Sequence, residues 1–256
     1  MDYNKKIPVL EMYRAIQSEG SLMGIPHLIV RTTGCTHRCW FGEGGWCDSW
    51  YTSIHPEKGK YTFNHIKQFF EDNKDITHLM LTGGSPTMHE ELCNEIVTVF
   101  KELHGEQTGI VTIETEGSHF IETKYPIDVV SLSPKFSNSI PMLEILTPGG
   151  AVVDQKMINQ HNKYRLKYDA IRQMISYHKN YQFKPVWDGT EENLKEIEAF
   201  RTEMEIPKNK TWIMPGGDNR EKLIEMYPIV INMCTEKGYN FSGRDHIIAF
   251  GDKREV

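Results

Sequence analysis

The sequence predicts an α/β fold with a mainly parallel sheet. Short apolar, β-branched runs alternate with amphipathic helical patterns from about residue 26 onward, the pattern of βαβ units. The runs also end in turn-forming or polar residues: TTGC, TGGSP, ETEG and SPK in chain order, then MPGG near the end. In parallel α/β sheets, ligands bind beyond the carboxyl ends of the strands. Periodicity does not separate an open, doubly wound sheet from one curled into a partial barrel.

The first strand expected is HLIVRT (27–32), apolar and β-branched. A helix is expected after Thr62, an N-cap residue, with Phe63, Ile66 and Phe70 on one face. THLMLTGG (77–84) reads as a buried strand, and Leu92, Ile96, Val99, Phe100 and Leu103 recur at helical spacing. GIVTIET (109–115) and DVVSLS (128–133) are further strands. The stretch 136–160 has two prolines and a Gly-Gly pair and reads as a long surface excursion. A helix over about 163–177, a strand FKPVW (183–187), a helix opening at Thr190 and a strand TWIM (211–214) follow. The last helix spans about 220–237 and stops at Gly238, with Pro228 expected to kink or split it. HIIAFG (246–251) is expected as a final strand.

A chain of 256 residues is one large domain or two small ones. Its net charge of −6 argues against broad nucleic-acid binding. The opening MDYNKKIPVLEMYRAIQ lacks the apolar core of a secretory signal. No stretch nears the roughly 20 apolar residues of a spanning helix. The expectation is a cytoplasmic protein, free of membrane and nucleic acid, whose thiols stay reduced. Cys93 and Cys234 fall in helical patterns among apolar neighbours and read as inert core residues.

Cys35, Cys39 and Cys47 lie within thirteen residues, directly after the first strand. Thiolates this close on a turning loop suit an iron–sulfur cluster, and three of them would leave one iron of a four-iron cluster open. Zinc also takes clustered thiolates, but a closed structural site needs four ligands, and His37 is a strained fourth. A disulfide leaves an odd cysteine. The cysteines alone leave these alternatives open.

The three cysteines, followed after the next strand by Gly83-Gly84-Ser85-Pro86, resemble the radical S-adenosylmethionine (SAM) superfamily. The resemblance implies a partial (β/α) barrel and a [4Fe–4S] cluster on Cys35, Cys39 and Cys47. The open iron would chelate SAM, and reduction would release a 5′-deoxyadenosyl radical that abstracts hydrogen from substrate. Gly84 and Ser85 would contact the SAM amino group. Two departures stand out. The superfamily norm has two residues between the last two cysteines, whereas seven stand here, with FGEGG inserted, and Ser85 occupies a position more often acidic.

More narrowly, Ile16-Gln17-Ser18-Glu19-Gly20, Arg31, Cys47-Asp48-Ser49, Ser133-Pro134-Lys135, Met214–Gly217 and the closing stretch from Gly238 resemble the 7-carboxy-7-deazaguanine synthase family. The likeness covers nearly the whole chain, apart from about 136–165, and implies a single radical SAM domain over 1–256. It implies a lyase that converts 6-carboxy-5,6,7,8-tetrahydropterin to 7-carboxy-7-deazaguanine with loss of ammonia, in biosynthesis of the queuosine type. Mg²⁺, an electron donor such as flavodoxin and a homodimer are implied with it. Substrate would meet Ala15, Gln17, Glu19, Arg31, Thr82 and the Val256 carboxylate, although Glu255 stands where a glycine is expected. SAM would meet Gly84, Ser85, Glu114, Ser133, Pro134, Lys135, Met214, Pro215, Gly216 and Gly217. Ser49 would bind Mg²⁺, Lys184 points either inward or to solvent, and His246 reads as a buried, hydrogen-bonded histidine. The rival readings are a glycyl-radical-enzyme activase and a non-catalytic zinc-binding module.

Overall fold

A computed structural model describes residues 4–42 and 45–256. Residues 1–3 of the opening stretch, and Glu43 and Gly44 of FGEGG, lie outside the described residues. The fold is mixed α/β with a mostly parallel sheet. Strand β1 (Val9–Ile16) runs antiparallel to β2 (Pro26–Thr32). Then β3 (His78–Gly83), β4 (Ile110–Thr115), β5 (Val129–Leu132) and β6 (Tyr181–Phe183) add in parallel and in sequence order. A second parallel set holds β7 (Val186–Trp187), β8 (Trp212–Pro215) and β9 (Asn240–Phe241). One bridge, Phe183 to Thr211, links the two sets. No closed sheet forms among the described residues.

Strand alternation decides what faces what. Leu28 and Val30, Leu79 and Leu81, and Val111 and Ile113 turn to one side. There they pack against Phe63, Ile66 and Phe70 of α2 (Phe63–Asp72) and Leu92, Ile96 and Phe100 of α3 (Glu90–His104). The intervening residues Ile29, Arg31, Met80, Thr82 and Glu114 turn to the other side and line a cavity. Both faces are covered, so these strands read as continuous apolar runs.

Several expectations need correction. HIIAFG is helix α8 (Asp245–Phe250) and not a strand. An apolar run of this length suits either, and the partner on the sheet edge is taken by β9. The helix expected over 163–177 is two, α4 (Gln155–Tyr164) and α5 (Tyr168–Tyr177). The excursion is therefore shorter than expected: α4 starts at Gln155, where Asp154 caps the Met157 N–H at 2.8 Å. FKPVW divides into β6 and β7 around Lys184 and Pro185, since proline offers no ladder donor. Strand β1 has no clean alternation and was not expected at all. Helices α6 (Glu191–Glu203, capped by Thr190) and α7 (Arg220–Lys237) stand as expected. Helix α7 runs unbroken through Pro228, so the expected split does not occur, and it ends at Gly238, whose φ of 74° suits glycine.

Lys101 of α3 is buried, with its ammonium 2.6 Å from Asp128 beside β5 and 2.6 Å from the Gly109 carbonyl. Asp128→Ala strands that charge and is expected to cost roughly 3–5 kcal/mol, measured by urea unfolding. Wild-type stability would contradict this account of the core.

His27 and His178 are buried, and desolvation pushes both down from 6.5 to about 4. The unfolded chain therefore binds more protons below pH 6.5. Stability present above 6.5 is lost as pH falls toward 4, by up to about 2 kcal/mol per histidine near pH 5. Unfolding measured from pH 7.5 to 4.5 should show this acid loss, and His178→Asn should flatten it.

Candidate active site

The carboxyl ends of β2 to β5 lie along one edge, and their loops surround a cavity of about 720 Å³. Cys35, Cys39 and Cys47 all line it. The long gap before Cys47 is closed by a hairpin. Trp40 bridges to Trp46, the Gly45 carbonyl accepts from Phe41 N–H at 2.8 Å, and Cys47 N–H donates to the Cys39 carbonyl at 3.1 Å. Cys47 thus sits beside Cys39 despite the seven residues between them.

Helix α4 buttresses this loop from below. His161, buried, accepts from Arg38 N–H at 3.2 Å through Nδ1, and its Nε2 lies 3.1 Å from the Ser139 hydroxyl. Burial holds this imidazole neutral, down to about 3, so Nε2 carries the proton and donates. The excursion closes over the loop too, with Trp46 Nε1 donating to the Leu146 carbonyl at 3.1 Å.

Burial raises all three thiols, Cys47 to about 11 and Cys35 and Cys39 further. Thiols so placed become ligands only when a positive centre compensates the lost solvation. Three soft sulfur donors facing one cavity fit an iron–sulfur cluster. Among the described residues no group of three or more His, Cys, Asp or Glu side chains is drawn close enough to hold a single metal ion. His37 also lines the cavity, held neutral at about 3, first by burial and then by Lys135 and Arg38.

Gly84 is required by the protein's own packing. A Cβ there would lie 2.4 Å from the Gly34 carbonyl and 2.9 Å from Cys35 Cβ. The turn after β3 is therefore pressed against the cysteine loop. Ser85 is fully buried and does not line the cavity. Its hydroxyl donates to Glu116 at 2.6 Å.

Of the remaining expected residues, Ala15, Gln17, Glu19, Arg31 and Thr82 line the cavity. So do Glu114, Ser133, Lys135, Met214, Ser49 and Val256. Pro134, Pro215, Gly216 and Gly217 are not among its lining residues. Gln17 shapes its own loop, its side-chain oxygen accepting from Ser18 N–H at 2.9 Å and Glu19 N–H at 3.3 Å. Arg31 is engaged by Glu11 at 2.7 Å and the Tyr13 hydroxyl at 2.9 Å. Ser49 donates to Asp48 at 3.1 Å. His246 is half-buried and lines the cavity, which corrects the expectation of a buried histidine.

Lys184 points inward. It is 1% exposed and spans Glu19 and Glu114, the latter at 2.9 Å. Burial alone would raise the Glu19 carboxyl, but Lys184, His246 and Arg244 outweigh it and hold Glu19 at about 2. Glu114 Oε1 and Glu116 Oε2 have no hydrogen-bond partner among the described residues, so the wall holds unmet acceptors. Sequence reasoning passed over Glu11 and Glu116 and assigned no role to Arg244. A charge inside an apolar strand or beside a motif was the available signal.

No family model matches the chain. Curated proteins do. The 7-carboxy-7-deazaguanine synthase of Rhodopirellula baltica is 30% identical over 246 residues, 96% of this chain and 87% of that protein. The chain belongs to the 7-carboxy-7-deazaguanine synthase family. The Halobacterium salinarum synthase is 28% identical over 98% of this chain and 93% of its own length. In fold, the crystal structure of QueE from Escherichia coli superposes with a TM-score of 0.58 at 16% identity, over 93% of each chain. Among the described residues no helix is long and apolar enough to cross a membrane.

In this family member the segment after α8 folds back over the cavity. Arg254 donates to Glu11 at 2.6 Å and to Glu57 at 2.8 Å, and its guanidinium lies 3.7 Å from the centre of the Tyr51 ring. Glu255 takes a φ of 60°, a conformation that favours glycine. Arg254→Ala should cost about 1–2 kcal/mol and raise amide exchange over 251–256. Unchanged exchange would show that Arg254 does not anchor the segment.

Proposed function

We propose that the chain is a radical SAM enzyme, one domain in an open partial barrel, that converts 6-carboxy-5,6,7,8-tetrahydropterin to 7-carboxy-7-deazaguanine with loss of ammonia. Family membership supports the product class. The observation that carries the chemistry is the facing of three thiols into one cavity whose far wall is a ring of paired charges. Cys35, Cys39 and Cys47 would hold a [4Fe–4S] cluster. When bound, the cluster and SAM would supply a radical able to abstract hydrogen from substrate.

The chain's own residues bind and orient. Gly84, Ser133, Lys135, Glu114 and Met214 would receive SAM, and Ser85 would act through Glu116. Pro134, Pro215, Gly216 and Gly217 would shape the turns behind Lys135 and Met214. Glu19 would accept from the pterin edge, with Gln17 holding its loop and Ala15 and Thr82 flanking the ring. Arg31 keeps a donor face for the substrate carboxylate beyond its bonds to Glu11 and Tyr13, a charge-assisted contact. The Val256 carboxylate would close the pocket. Ser49 beside Asp48 would offer oxygen to Mg²⁺, which keeps most of its waters. A flavodoxin-like donor, a homodimer and a cytoplasmic setting complete the reading.

Anaerobic reconstitution with iron and sulfide tests this. The expected outcome is the broad visible absorption of a cluster, then conversion of the carboxytetrahydropterin with SAM, a reductant and Mg²⁺. Cys47→Ala should lose cluster iron and turnover. Tight zinc binding without a cluster, or SAM cleavage that leaves the pterin intact, would overturn the assignment.

A further inference from the structure

One guanidinium joins two parts of the cavity wall to the turn behind it. Arg244, 8% exposed, lies between β9 and α8. Its Nη1 donates to the Gly217 carbonyl, in the turn after β8. Its Nη2 donates to the carboxylate of Asp48, next to Cys47. Its Nε lies 3.7 Å from Glu19 Oε1 and has no hydrogen-bond partner among the described residues. Its backbone N–H donates to the Tyr227 hydroxyl at 2.5 Å, which fixes the base of the side chain.

A guanidinium is a rigid plane, so two fixed ends fix the direction of the third donor. With Nη1 and Nη2 committed, the buried Nε is left at ion-pair distance from Glu19, 3.7 Å, without a hydrogen bond. The other oxygen of Glu19 accepts from Lys184, which is shared with Glu114. Glu19 is thus held between two cations on opposite oxygens. With Lys184 alone, only one of its two oxygens would be held. The further titratable neighbours are His246 and Cys47, which line the cavity, and Tyr227 behind Arg244.

We propose that Arg244 is the positioning residue that sets the orientation of Glu19 for substrate and ties it to the Asp48 end of the cysteine loop. This rests on the reading of Glu19 as a pterin ligand. A lysine would not serve, because one ammonium cannot hold a plane against Gly217 and Asp48 while also facing Glu19.

The test is equilibrium binding of 6-carboxytetrahydropterin by calorimetry, on reconstituted enzyme with SAM and without reductant, so that no turnover occurs. Arg244→Gln is expected to weaken binding roughly tenfold or more, and Arg244→Lys is not expected to restore it. Glu19→Gln should weaken binding in the wild-type background and cost much less in Arg244→Gln, because Glu19 is already misoriented there. Should Arg244→Gln fail to fold, Asp48→Asn replaces it, and the same non-additivity with Glu19→Gln is expected. Additive losses, or unchanged affinity in a folded Arg244 variant, would overturn the proposal while leaving the proposed function intact. No pterin binding by the unsubstituted enzyme would remove both.

Discussion

Parallel pairing is the constraint on which the rest of this molecule depends. Strands β2 to β5 run in one direction and finish along one edge, with Thr32 opposite Gly83 and Thr115 opposite Leu132. Each strand therefore delivers its following loop to the same side. Four loops, those beginning at Thr33, Gly84, Glu116 and Ser133, become neighbours, and contacts such as Ser85 to Glu116 then lock them together. The antiparallel β1 runs the other way, so its carboxyl end, Ile16, lies beside Pro26 at the amino end of β2, and residues 17–19 reach the cavity from the opposite end of the sheet.

What the strands assemble, charge pairing holds. The cavity wall carries Glu19, Asp48 and Glu114, together with Arg31, Lys184 and Arg244, and all but Asp48 are buried or half-buried. Isolated, such charges would be prohibitive, and paired pockets of this kind contribute little net stability. Their value lies in definition. Each side chain has a fixed partner, so the wall is set before a ligand arrives, and binding need not order it.

Much of this was legible in the chain, and the failures have physical causes. The β2 to β5 strands and α2, α3, α6 and α7 follow from periodicity, Thr62 and Thr190 caps and Gly238. The cysteines, Gly84 and Glu19 were visible as residue types placed at strand ends. Strand β1 was hidden because Glu11, a charge at a buried position, breaks its pattern, and that charge exists to meet Arg31 and Arg254. Helix α8 was mistaken for a strand because six apolar-rich residues fit both periods. Lys184 was undecidable because only tertiary structure shows that Glu19 and Glu114 await it. The role of Arg244 was out of reach for the same reason, its partners lying 27, 196 and 225 positions away in the chain.

The hairpin between Cys39 and Cys47 has a consequence for how such sequences are recognised. A stem that closes through Trp40 and Trp46 sets Cys47 beside Cys39. Residues added beyond such a stem need not alter the sulfur positions, as with the loops of other rigid scaffolds. Counting residues between cysteines measures the contour of the chain, whereas the chemistry depends on the gap that the stem spans. A search keyed to fixed intervals would discard proteins built this way, and one keyed to a short stem flanked by cysteines would keep them.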